Sequence, residues 1–182
     1  DAAIGLAVAQ AGGTRANFGS MGKPLQAGHA ARAAVQSARL AARGFTAGAD
    51  PLTGPYGFTQ LYAAGEAEPA LFALPTAGDA LAIDAVGVIV KKYPMCYAAH
   101  RAVDAMLELR EEQGLRPDQV TAIDVESSAA GHGPLVHHRP RTPTEAMFSM
   151  EYGVAAALAD GRMGCSSFTG AALARATIAD LM

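Results

Sequence analysis

Residues 83–94 read IDAVGVIVKKYP. Val and Ile dominate up to Val90, and the run closes on two lysines and a proline. That is the pattern of a buried strand stopped where Pro94 removes a ladder donor. A second run, PDQVTAIDVESS (117–128), reads as another strand entered through a turn. Between them, residues 95–113 keep helical spacing through Ala99, Val103, Met106, Leu107 and Arg110, and Gly114 stops the helix. Strand, helix and strand in this order predict a small α+β segment beginning near Pro75.

Upstream, the pattern is helical. Residues 1–11 form an apolar helix ended by Gly12-Gly13. From Leu25 to Arg43, Leu25, Ala31, Val35 and Ala38 recur at helical spacing, with Pro24 at the first helical position and Gly44 at the stop. FTAGADPLTGPYG (45–57) is a turn-rich connector, and GFTQLYAAG (57–65) offers one short helix. Downstream, a His- and Pro-rich loop (131–143) leads into TEAMFSMEYGVAAALADG (144–161), a helix with Thr144 as N-cap and Gly161 as C-cap. A last helix begins near Thr169. The predicted fold class is α+β, predominantly helical: an all-α segment over 1–75, then an α+β segment over 76–182.

Composition narrows the function classes. The chain has 182 residues, half of them apolar, with aromatics at 6% and a net charge of −3. Abundant alanine with few aromatics points to closely packed helices. No basic stripe marks a nucleic-acid binder, and the apolar runs break before bilayer-spanning length, so neither nucleic acid nor membrane is an expected partner. Cys96 and Cys165 form no disulfide framework and lack metal-ligand spacing, so a cytoplasmic location and no metal are expected. The chain opens inside a helical pattern (DAAIGLAVA) and stops at ADLM without a cap, which reads as an internal fragment of a longer protein. Helices without their partners would expose apolar faces and self-associate.

Three stretches carry chemistry. In GSMGKPLQAGHAARAAV (19–35), Lys23 stands at a helix end that already bears positive partial charge, which costs about 0.3–1 kcal/mol when exposed. The placement makes sense where an anion arrives, so that backbone N–H groups and the ammonium converge on a carboxylate or phosphate; the plain alternative is a solvated loop lysine. In VKKYPMCYAAH (90–100), Lys91 and Lys92 leave a strand on opposite faces. Cys96 falls at a helix N-terminus, where a thiol is activated, or is an inert buried cysteine, and His100 lies one turn further on the same face. In TEAMFSMEYGVA (144–155), Ser149 and Tyr152 share a face, with Glu145 one turn earlier as a first-turn carboxylate; Tyr152 is either core or a phenol pointed at a ligand. GHGPLVHHRP (131–140) has three histidines but no metal-ligand template.

MGKPLQAGHAARAA, then VKKYPMCYAAHRAVDA, then EAMFSMEYGVAAAL with DGRMGCSSF behind it, resemble in this order the MmgE/PrpD family over essentially the whole chain. That family includes 2-methylcitrate dehydratases, cis-aconitate decarboxylases and iminodisuccinate epimerases. The resemblance implies a homodimeric lyase or isomerase without cofactor or metal, with a cleft between an all-helical domain and a smaller α+β lid. Residues 1–75 would be the C-terminal part of the first, and 76–182 part of the second. It implies a small polycarboxylate substrate, with Lys23 holding a carboxylate and Lys91, Tyr152 and Cys96 as further catalytic residues. Cys96 stands where the decarboxylase branch has histidine, and Gln26 replaces a histidine common after Lys-Pro-Leu. Gln26, His100 and Ser149 complete the expected substrate contacts. A 2-methylcitrate dehydratase-like activity is the first expectation, with the acid–base group outside this chain. The alternative is a non-catalytic dimerisation or anion-binding module.

Overall fold

The computed structural model describes residues 1–63, 76, 78–128 and 132–182. These fall into two compact units, residues 1–14 with 24–89 and residues 15–23 with 90–182. Part of the expected short helix at 57–65, the expected boundary near Pro75 and the first residue of the 131–143 loop lie outside the described residues.

In the first unit, α1 spans Ala2–Val8, the long α2 runs Gly22–Ala41 from its start in the other unit, and α3 (Phe58–Tyr62) and α4 (Ala82–Val86) follow. Helix α1 presents Gly5 to the connector, because a Cβ there would stand 2.5 Å from Ala47 Cβ. Gln10 Nε2 donates to Ser37 Oγ at 3.1 Å and ties the end of α1 to the buried polar position of α2. Helix α2 begins two residues before Pro24, so the proline is its third residue rather than its first. Past its end, Gly44 adopts φ +86°, the left-handed geometry expected of a terminating glycine.

The second unit holds the main core. Helix α5 (His100–Gln113) packs across Met150–Asp160, Ala176–Ala179 packs on the latter, and Pro143–Ala146 packs against Gly170–Leu173. In chain order these are α6 (Pro143–Ala146), α7 (Met150–Asp160), α8 (Gly170–Leu173) and α9 (Ala176–Ala179). Residues 152–158 of α7 are all buried, so α7 is an interior helix, apolar all round. Gly153 permits the close approach: a Cβ there would meet Met95 Cε at 2.7 Å and Val103 Cγ2 at 3.4 Å. Gly161 stops α7 at φ +62°, and Gly114 stops α5 at φ +61°.

Three sequence expectations are corrected. Residues 144–161 do not form one helix: Thr142, not Thr144, caps α6 by accepting the Glu145 N–H, with Pro143 at the first position. Ser149 then captures the Tyr152 N–H at 3.1 Å and starts a separate α7. A serine that bonds backbone two or three residues ahead competes with helix continuation, which is why the pattern breaks there.

The expected strand at 83–94 is instead α4 followed by backbone without regular structure, with Val88, Ile89 and Val90 at 76%, 82% and 88% exposure. The expected strand at 117–128 opens as a 3₁₀ turn, Pro117–Gln119, and continues without regular structure, with Ile123 and Val125 half-buried between exposed neighbours. Among the described residues there is no strand, so the helical part of the expected fold class stands and the α+β part lacks the ladder it needs. β-branched residues favour a strand, but a strand exists only once a second chain segment supplies the ladder.

Candidate functional site

Lys23, Lys91, Cys96, His100, Ser149 and Tyr152 all fall in the second unit, while Gln26 falls in the first. The stretch Met147–Glu151 ties several of them together. Met147 O accepts the Cys96 N–H at 2.8 Å, and Phe148 O accepts the His137 N–H at 3.3 Å. Lys23 Nζ stands 4.3 Å from the centroid of the Phe148 ring and 4.4 Å from that of Phe18, the two rings lying 5.4 Å apart. Two π faces thus hold one ammonium. Among the described residues Lys23 has no carboxylate partner.

The helix end contributes less than the sequence suggested. Gly22 N donates to Ser20 Oγ at 3.2 Å, Lys23 N donates to Ser20 O at 3.3 Å, and Pro24 has no N–H. An anion at this end would meet the ammonium, not a ring of free backbone donors. Gln26 is engaged with Thr14, accepting its N–H at 3.0 Å and donating to its carbonyl at 3.2 Å.

Lys91 and Lys92 depart to different partners. Lys91 Nζ donates to Met95 O at 3.0 Å, folding back over the Pro94 turn. Lys92 Nζ and the Tyr93 hydroxyl both donate to Asp104 Oδ1, each at 2.5 Å. The Lys92 hydrogen bond, then that of Tyr93, holds the Asp104 carboxyl below the usual aspartate range. Burial pushes the Tyr93 phenol up. Cys96 is half-buried and precedes a three-residue 3₁₀ turn, Tyr97–Ala99, without capping it through its side chain. His100 is buried at the start of α5, its ring 5.2 Å from that of Tyr93 and 5.0 Å from that of Tyr97, and its Nε2 has no partner among the described residues.

Tyr152 and Ser149 are fully buried. The Tyr152 hydroxyl donates to Ser167 O, and burial raises its pKa, so the phenol stays protonated and keeps that bond. Ser149 accepts from Tyr152 N and donates to Glu151 Oε2 at 3.3 Å. The other oxygen of Glu151 faces His138 Nδ1 at 2.7 Å. Sequence reading passed over this Ser149–Glu151–His138 chain, because a thirteen-residue separation between His138 and Glu151 has no local periodicity to reveal it. Among the described residues no three His, Cys, Asp or Glu side chains are grouped to hold a metal ion.

The MmgE/PrpD N-terminal domain model matches residues 1–70, and the MmgE/PrpD C-terminal domain model matches residues 93–182. The chain belongs to the MmgE/PrpD family, whose members are generally lyases of the dehydratase type. No individual curated protein matches the chain. No helix among the described residues is long and apolar enough to cross a membrane.

Proposed function

We propose that this chain carries part of the substrate site of a lyase that acts on a small di- or tricarboxylate by proton transfer next to a carboxylate. Water elimination from a 2-methylcitrate-like acid is the first choice. The observation that carries the reading is Lys23: a cation seated on two aromatic rings, without a carboxylate partner among the described residues, in a chain of this family. Removing a proton beside a carboxylate builds negative charge on carbon and carboxylate oxygens, and a fixed ammonium in a partly desolvated place stabilises it. Lys91 donates to Met95 O and the Cys96 N–H to Met147 O, and the reading takes both, with His100, as further site residues. The reading includes a homodimer, no cofactor and a cytoplasmic location, with residues 1–75 from the helical domain and 76–182 from the lid of a longer protein.

The experiment is water elimination and α-proton exchange on 2-methylcitrate and citrate, by the longest natural chain containing these residues, with Lys23→Ala and Lys91→Ala alongside. Loss of turnover in both variants supports the reading. Turnover indifferent to both substitutions overturns this site.

A second reading, a non-catalytic anion-binding or dimerisation module, is favoured by Tyr152. Its hydroxyl is buried and already committed to a carbonyl. Binding of tricarballylate without turnover of any hydroxy acid would select it.

A further inference from the structure

Lys23 serves an anion only if its two aromatic neighbours hold it in one place. Phe18 precedes α2 and Phe148 lies between α6 and α7, so the two rings come from segments far apart in sequence. Their centroids are 5.4 Å apart, with the ammonium 4.4 Å from the first and 4.3 Å from the second. Arg15 also stands over the Phe18 ring, its Cζ 5.6 Å from the centroid. Neither cation has a carboxylate partner among the described residues, so their mutual repulsion works against a closed seat. The backbone N–H groups of the two phenylalanines bond only locally. That of Phe18 donates to Arg15 O at 3.1 Å, and that of Phe148 to Glu145 O at 2.8 Å.

His137 joins them. Its ring Nε2 stands 3.2 Å from Phe18 O, and its backbone N–H donates to Phe148 O at 3.3 Å. A carbonyl only accepts, so Nε2 carries the proton of the first bond. One residue thus grips the backbone of both ring-bearing residues. The approach is possible because residue 19 has no side chain: a Cβ on Gly19 would stand 2.0 Å from Nε2 and 2.5 Å from Cδ2 of His137. Gly19 is itself buried and adopts φ +79°, a left-handed backbone that suits glycine. Phe18, Gly19, Lys23, His137 and Phe148 all belong to the second unit. A charged group is useful to a ligand only when supporting hydrogen bonds fix the residues that hold it.

We propose that His137 is the positioning residue of the Lys23 seat, an assignment that rests on the polycarboxylate reading above. It acts through the two rings and moves no proton. By tying Phe18 O to Phe148 O it keeps the rings together, and the ammonium between them meets a substrate carboxylate in one fixed place. Gly19 is the residue that lets the imidazole sit there.

The test combines tricarballylate calorimetry with NMR of the Lys23 side chain, on the longest natural chain containing these residues. In the unsubstituted protein the ring currents of Phe18 and Phe148 are expected to move the Lys23 ε-methylene signal upfield. His137→Leu removes the donor and is expected to lose most of that shift and to weaken tricarballylate about tenfold, the order of one hydrogen bond. His137→Gln keeps an amide donor and is expected to recover part of both. Gly19→Ala displaces the imidazole and is expected to act like His137→Leu. His138→Ala, whose ring faces Glu151 instead, is expected to change neither. An unchanged shift and affinity in His137→Leu overturn the assignment, as does an equal loss in His138→Ala or no recovery in His137→Gln. Where His137→Leu does not fold, unchanged values in Gly19→Ala overturn it. Absence of tricarballylate binding by the unsubstituted protein overturns the polycarboxylate reading instead, and the ε-methylene shift then decides alone whether His137 positions the seat.

Discussion

The Lys23 ammonium stands 4.3 Å from the centre of the Phe148 ring, so a cation from the start of α2 is seated by the residue just before the cap of α7. The attraction is worth about 0.5–1 kcal/mol where solvent reaches it. That is too little to make Lys23 a stability residue, and the ammonium is left available for an anion. Lys23→Met is therefore expected to change the urea midpoint little and to weaken tricarballylate binding at least tenfold. Calorimetric titration beside a denaturation curve separates the two effects. A large stability loss with unchanged binding would make Lys23 structural.

Ser149 performs two tasks with one hydroxyl, capping α7 and holding Glu151. Ser149→Ala is expected to cost about 0.5–2 kcal/mol of stability from the lost cap. Ser149→Asp restores an acceptor for the Tyr152 N–H but places a second carboxylate beside Glu151. Chemical denaturation should find alanine less stable than the wild type, and aspartate should fail to recover the full difference.

The Tyr152 hydroxyl is buried against Ser167 O. Tyr152→Phe leaves that carbonyl without its donor, at a cost of about 1–3 kcal/mol. Thermal unfolding measures it. If the same variant loses turnover by several orders of magnitude while folded, Tyr152 does more than pack.

Asp160 receives both guanidinium nitrogens of Arg175, at 2.6 and 2.8 Å. The Arg175 hydrogen bonds lower its carboxyl pKa below the ordinary aspartate value. A depressed folded pKa adds stability that is complete above the unfolded value, about pH 4, and is lost as pH falls through the folded one. Stability should therefore fall on acidification below about pH 4, and Asp160→Asn should flatten that acid limb. Unfolding curves from pH 2 to 6 check the sign.

Gly161 lies at φ +62°, and a Cβ there would come within 2.3 Å of an Arg110 guanidinium nitrogen. Arg110 Nε donates to Leu158 O at 2.8 Å, one of the last carbonyls of α7. Gly161→Ala is thus expected to destabilise by about 1 kcal/mol or more through strain and displacement of Arg110. Gly164→Ala, where a Cβ meets nothing, is the control with the smaller effect.

Local signals were legible in the sequence wherever their cause is local. The stops at Gly44, Gly114 and Gly161 follow from a left-handed backbone that glycine adopts without strain, and the periodicity of 100–113 follows from one buried helix face. The ordered motifs around Lys23, Lys91 and Tyr152 carried the family resemblance that the two domain matches established. Tertiary structure decided the rest. Whether IDAVGVIVKKYP and PDQVTAIDVESS become strands depends on a pairing partner, which no single segment encodes, and among the described residues none supplies a ladder. Whether Tyr152 faces a ligand or the core depends on what Ser167 brings to its hydroxyl. The union of His138 with Glu151 likewise exists only after the chain has folded back on α7. Helix stops are set by the conformational freedom of one residue, whereas ladders, buried hydroxyls and His–carboxylate pairs are set by the arrival of a distant one.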